Sequence, residues 1–157
     1  MAKPALLPDF RDLLSALAAT GTEYLIVGGW AVAFHSEPRF TKDLDLLIGQ
    51  HDGNLVRVTS ALTTFGAPPH ILEQLRQLGP EEFLFLGTPP ARVDLLRRVP
   101  GVDFIDAYRR RILADWDGVP VTLVSREDLL VSKRAAGRER DLRDVRAIER
   151  AVLRKKT

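Results

Sequence analysis

Two aspartates one residue apart, Asp43 and Asp45, interrupt the apolar segment "KDLDLLI", and a third, Asp94, sits inside "ARVDLLRRV". Residues two apart in a strand point to one side, so Asp43 and Asp45 share a face opposite Leu44 and Leu46. Two carboxylates held that close repel, and burying either one unpaired is expensive; a divalent cation neutralises both at once. Hard oxygen ligands in a chain without cysteine favour magnesium or manganese over zinc. The competing structural reading pairs these acids with Arg39, Lys42 or another base at a sheet edge, and a bare Asp-x-Asp is common enough to suit it.

Context moves the balance toward chemistry. Gly28 and Gly29 close the apolar run "EYLIVGG" just before a short amphipathic segment, and glycines there let backbone N–H groups approach a phosphate at a positive helix end. Alone they are better explained by a tight strand-to-helix turn. Asp94 adds an acid within an apolar strand that again demands a partner, and a metal shared with Asp43 and Asp45 supplies one. Three strand-borne acids beside a glycine turn describe a two-metal phosphoryl or nucleotidyl transfer site.

These residues resemble the signature of the nucleotidyltransferase superfamily: an apolar residue, Gly, Gly or Ser, a variable spacer, then acid-apolar-acid, here Gly28-Gly29 and Asp43-Leu44-Asp45-Leu46, with Asp94 on a later strand. The likeness is to the minimal-type enzymes and the AbiEii/MenT-like toxins, and "DLLVSKRAAGRERDLRDV" is similar to the pattern of their C-terminal helices. The resemblance implies that Asp43 and Asp45 hold the metal of an incoming nucleoside triphosphate. Asp94 would complete a second metal position or serve as base, and Gly28 and Gly29 would meet the β- and γ-phosphates. It implies a phosphate contact for Lys133, oriented by Asp141 or Asp144. Arg39 and Lys42, just before the acids, are candidates to neutralise triphosphate charge. Gly29 stands where many relatives carry serine; Thr41 is the nearby hydroxyl.

The C-terminal acids have a reading independent of the family. At ~100° per residue Asp141, Val145, Ile148 and Val152 fall on one helix face, with Asp144 at its border. An acid on an apolar face needs a partner, and the structural candidates are Lys133, Arg134 and Arg138. His35, Trp30 and Trp116 stay outside the catalytic set, as residues more often packed than reactive.

The elements that must position these groups alternate between helix and strand. Leu6, Phe10, Leu13, Leu14 and Leu17 recur at helical spacing and Gly21 stops them. "EYLIVGG" and "KDLDLLI" read as strands, with a short helix from Trp30 to His35 between them, and Leu55, Val58, Leu62 and Phe65 mark another helix. "PPHILEQLRQLGPEE" has no defined reading. "FLFLG" and "ARVDLLRRV" form a hairpin pair, "GVDFIDAYRRRI" a short helix, and "LADW" and "VPVTLV" flank the tight turn Asp117-Gly118, with Pro120 placing the second of them at a sheet edge. A capping box, Ser125 with Asp128, opens the penultimate helix, and Gly137 separates it from a last helix reaching about Leu153. The fold class is α/β or α+β: a mixed sheet flanked by helices, read as a single domain over 1–157 with a core of about 20–125 and a helical part of about 126–157.

Composition bounds the rest. With 45% hydrophobic and 28% charged residues the chain should fold, and without cysteine it has no disulfide framework or thiolate chemistry. No run approaches the ~20 apolar residues of a membrane span, and the start lacks a signal-peptide core, so a cytoplasmic protein is expected. The net charge of +2 divides into +5 over Arg126 to Thr157 and −3 over the remainder. That basic end suits a solvated helix face or a phosphate-bearing partner. The expectation is a magnesium- or manganese-dependent transfer of an NMP group from an NTP to a hydroxyl on RNA (tRNA among the candidates), a protein or a small molecule. The resemblance also implies a toxin with an antitoxin partner; the alternative is a noncatalytic nucleotide- or partner-binding module.

Overall fold

The computed structural model describes residues 6–156; Met1 to Ala5, part of the start read as lacking a signal peptide, and Thr157 lie outside them. The chain order is α1 (Pro8–Thr20), β1 (Tyr24–Val27), α2 (Gly28–His35), β2 (Leu44–Ile48), α3 (Asp52–Phe65), α4 (Pro69–Gln77), β3 (Phe83–Leu86), β4 (Val93–Leu96), α5 (Phe104–Arg109), β5 (Ile112–Trp116), β6 (Val119–Leu123), α6 (Arg126–Ala136) and α7 (Glu139–Lys156). The strands form one mixed sheet in the order β3-β4-β2-β1-β6-β5. β1 runs antiparallel to β2, while β2 with β4 and β1 with β6 are parallel.

Alternation along the strands divides the molecule into two layers. Tyr24, Ile26, Leu44, Leu46, Ile48, Val93 and Leu95 face a core shared with Phe10, Leu13, Leu14 and Leu17 of α1 and Val58 and Leu62 of α3. Leu25, Val27, Leu47 and Leu96 face the other way, against Leu129 of α6 and Ile148 of α7. Asp45 shares parity with Leu47, and Asp94 with Leu96, so both acids belong to the side of the C-terminal helices. Leu44 and Leu46 are fully buried on the opposite side. Burying each is worth about 2 kcal/mol, so a one-residue slip of β2 would bury the acids at great cost.

Several local expectations are corrected. β2 begins at Leu44, so Lys42 and Asp43 precede the strand. The undefined segment is helix α4: Pro69 occupies its first turn, where a missing N–H is harmless, and Ile71 and Leu75, four apart, bury one face. β6 is interior, not an edge. Ile26 aligns with Leu123, so Tyr24, where β1 begins, falls level with Val121, and Pro120 precedes the stretch where β1 needs its N–H. The hairpin of β3 and β4 forms, with Phe85 opposite Asp94 and Phe83 opposite Leu96.

Candidate active site

Three adjacent strands end at one cleft. Val27, the last residue of β1, is the register partner of Asp45 on β2, and Asp45 is the partner of Asp94 on β4. Asp43 joins from the turn before β2. The opposite wall comes from α6 and α7 through Lys133, Arg138, Asp141 and Asp144, and the cavity between them holds about 420 Å3. Gly28, Gly29 and Arg39 also line it. Lys42 does not: it is exposed, outside the strand, and apart from the group.

The glycines are explained by what lies against them. Gly28 has φ +66, and a Cβ there would sit 2.1 Å from Oδ2 of Asp45. Only glycine combines that backbone with that carboxylate, so Gly28 makes room for the acid as well as opening α2. A Cβ at Gly29 would lie 2.6 Å from Cγ2 of Thr41. The threonine side chain thus fills the space that the serine of related signatures would need. Both glycines sit in the first turn of α2, whose N–H groups have no intrahelical acceptor and whose N-cap, Val27, offers no side chain.

The electrostatics of the two walls are opposite. On the sheet wall the Asp45 carboxyl is pushed up to about 7, by burial first and then by the neighbouring Asp94 and Asp43, with Lys133 and Arg92 only partly compensating. On the helix wall Asp141, 1% exposed in its side chain, accepts from Nε and the backbone N–H of Arg138 at 2.6 and 3.2 Å. The Arg138 bond holds its carboxyl below the usual range despite burial, and Lys133 adds to the effect. Lys133 donates to Asp144 at 3.0 Å and to Asp141 at 3.4 Å. Asp144 also receives Arg39 at 2.8 Å; although burial is the largest influence and raises its pKa, these two cations together bring it below the usual value. The last two helices are therefore tied together at these acids through Lys133 of α6, while Arg138, just before α7, closes on Asp141 locally. Arg134 does not reach these acids but makes a second α6–α7 bridge, to Glu149.

One residue of the site escaped the sequence reading. Arg92 donates its Nε to Oδ1 of Asp94 at 2.9 Å and lays its guanidinium over the Phe85 ring, 4.3 Å from the centroid. The signal was available: Arg92 is two residues before Asp94, the same-face spacing that paired Asp43 with Asp45. The aromatic candidates resolve as packing. Trp30 contacts Phe10 edge-on at 6.1 Å and Trp116 at 5.6 Å in the α1-side core. His35 Nε2 lies 2.9 Å from the Val124 carbonyl and ties α2 to the end of β6, and burial lowers its pKa.

Among the described residues no group of three or more His, Asp and Glu side chains is gathered as a ready metal cage. The donor chemistry nevertheless fits a hard divalent cation. Asp43 and Asp45 bring carboxylate oxygens to one cleft, and Asp45 is short of positive charge there. Asp94 already holds a cationic partner in Arg92.

Residues 7–154 match the family model described as "Nucleotidyltransferase of unknown function (DUF6036)", and the chain belongs to that family. Among solved structures it is similar to an antigenic nucleotidyltransferase-like protein from Paracoccidioides brasiliensis. The two are 18% identical, with 91% of this chain and 77% of that one covered and a TM-score of 0.47. No curated protein matches. No described helix is long and apolar enough to cross a membrane.

Proposed function

We propose that the cleft transfers an NMP group from a nucleoside triphosphate to a hydroxyl acceptor. The observation that carries this is Asp45: a carboxyl desolvated beside two other acids, opening on a cavity whose far wall presents Lys133. A purely structural acid would have been given a full ion pair, as Asp141 was.

Asp43 and Asp45 would hold magnesium or manganese, which when bound supplies charge against the triphosphate and acidifies the acceptor hydroxyl. Gly28 and Gly29 offer N–H donors to the phosphates, and Lys133 and Arg39 place positive charge opposite them. The acceptor oxygen bonds to the α-phosphorus as the bond from that phosphorus to its bridging oxygen breaks. Pyrophosphate leaves with the electron pair, and the hydroxyl proton passes to Asp94 and on to solvent. The likeness of the C-terminal helices to toxin enzymes extends the proposal to an acceptor in a growth-limiting component, with an antitoxin as partner.

Purified protein with magnesium or manganese, a labelled NTP and cell extract as acceptor should release pyrophosphate and label one class of molecule. Asp45→Ala should do neither, and induction of the wild type but not Asp45→Ala should slow growth if the toxin role holds. If nucleotide binds while all four NTPs stay intact, the noncatalytic module is correct. The Arg92–Asp94 ion pair favours that second reading, because it satisfies Asp94 without a metal.

A further inference from the structure

A second cavity, of about 140 Å3, lies behind Arg39, between the loop that follows α2 and the later turns of α7. Its charged lining is Glu37 and Arg39 from the loop with Arg150 and Arg154 from the helix, three guanidiniums to one carboxylate. Ala147, Arg150 and Arg154 follow one another at steps of three and four, so they share one face of α7, and the short alanine side chain leaves a hollow that the two arginines flank.

The positive charge gathered there is only partly consumed within the chain. Glu37 pairs with Arg154 at 2.7 Å, and Arg39 with Asp144 at 2.8 Å. Arg150 is exposed and has no carboxylate partner among the described residues. The negative end of α2 points this way but is closed by Ser36, whose Oγ and N–H donate to the carbonyls of Val32 and Ala33. Cations held around one concavity repel each other, and an anion entering it relieves all of them. The cavity is well below the roughly 300–1,000 Å3 that encloses a drug-sized ligand, so its occupant is a small ion or the terminal group of a larger molecule. Guanidinium forks match the oxygens of a phosphate better than they match a halide.

Arg39 belongs to this cavity and to the cleft alike. Its Nη1 is given to Asp144, and its other N–H groups remain for an anion. Charge neutralised from behind attracts a triphosphate less from the front. We propose that the cavity behind Arg39 is a regulatory site for a phosphate-class dianion, free or as a terminal monoester, whose binding weakens the hold of the cleft on the triphosphate. The site stands on its own lining; its effect on the cleft rests on the transferase reading above.

The test titrates the full chain with inorganic phosphate at constant ionic strength, followed by phosphorus NMR line width, and repeats the titration with ribose phosphate as the monoester source. The wild type should bind, and the tighter of the two ligands names the source. Arg150→Glu reverses a charge on an exposed helix position outside the cleft. It should weaken that binding about 10-fold or more and leave affinity for a fluorescent NTP analogue, measured without phosphate, unchanged. If that variant does not hold its fold by circular dichroism, Arg150→Gln is read the same way. In the wild type, saturating phosphate should raise the Kd of the analogue to a plateau about 5-fold higher, the reach of a half-exposed charge, and Arg150→Glu should show no such plateau. No binding by the wild type, or equal binding by the folded variant, overturns the proposal; equal binding would seat the ion in the cleft. A Kd that climbs in proportion to phosphate without levelling is direct competition and overturns the coupling through Arg39. The two readings fail separately. Phosphate that binds at Arg150 in a chain that never transfers a nucleotide defeats the transferase and spares the site, whereas transfer indifferent to phosphate does the reverse.

Discussion

The two walls of the cleft each carry a cluster of acids, and the clusters have been treated in opposite ways. Asp141 and Asp144, on α7, are given Arg138, Lys133 and Arg39, and both carboxyls are held below their ordinary range. Asp45 and Asp94 on the sheet, with Asp43 from the turn before β2, have Arg92 close at hand and Lys133 across the cleft, and Asp45 is driven up to about 7. One set of acids is satisfied and Asp45 of the other is not, and the proposed metal and triphosphate site rests on that asymmetry. The satisfied set then has a different duty, holding Lys133 and Arg39 at the rim.

The sharpest break in that comparison is Asp45→Asn against Asp141→Asn, assayed for pyrophosphate release. Loss of Asp45 should cost about 10³-fold or more in kcat/KM, since it removes a proposed ligand of the metal, while thermal stability is kept or raised. Asp141→Asn should lower stability by about 2 kcal/mol, because it weakens the charged hydrogen bonds that the buried carboxylate takes from Arg138 and Lys133, while Lys133 keeps Asp144. Activity in the surviving folded fraction should fall much less. Equal activity losses at equal stability would mean that the helix acids are also ligands.

Gly28→Ala comes next. Its added methyl would meet the Asp45 carboxylate at 2.1 Å on a backbone with φ +66. Strain of about 1–2 kcal/mol should be accompanied by displacement of the acid and roughly a 10²-fold fall in transfer. Gly21→Ala, also at positive φ but with nothing within 4 Å, should share the strain and keep the activity. The pair separates a glycine needed for its backbone from one needed for a neighbour.

The opposite electrostatics also give opposite pH dependences. Asp45 binds its proton more tightly folded than unfolded, so its contribution to stability is complete below the unfolded value near 4 and is lost as pH rises through about 7. Asp141 is depressed, so its contribution is present above the unfolded value and is lost as pH falls through the folded one. Metal-free Asp45→Asn should therefore gain on wild type between pH 5 and 8 in urea unfolding, by about 2 kcal/mol and at most about 4. A gap that stays constant over that range would show that Asp45 is not desolvated.

What was legible in the sequence was local. Acid-apolar-acid in a strand, a glycine pair at a strand end and an acid on an apolar helix face each declare themselves by periodicity, and the alternating elements gave the mixed sheet. Helix α4 was hidden because two prolines precede an apolar pattern only nine residues long. Pro120 misled because its cost depends on how far β1 extends beside β6, a tertiary fact. Gly29 looked like a missing serine until Thr41 was seen filling its space. Phe83 and Phe85 read simply as a strand, since which face stays uncovered depends on where α6 and α7 come to rest.

Arg39 and Lys42 could not be told apart by type or spacing, and they now give the gentlest test. Arg39 lines the cleft and reaches Asp144 at 2.8 Å, so it ties the loop before β2 to the helix wall. Lys42 is exposed and away from the cleft. Arg39→Ala should raise KM for the triphosphate about 5- to 10-fold with little change in kcat, because a half-exposed charge acts mainly on binding. Lys42→Ala should stay within about 2-fold in both. A larger effect at Lys42 than at Arg39 would mean that the loop closes over the nucleotide in a way that exchanges the two cations. The helix acids would then be releasing Arg39, not presenting it, and the contrast between a satisfied wall and an unsatisfied one would hold only for the empty cleft.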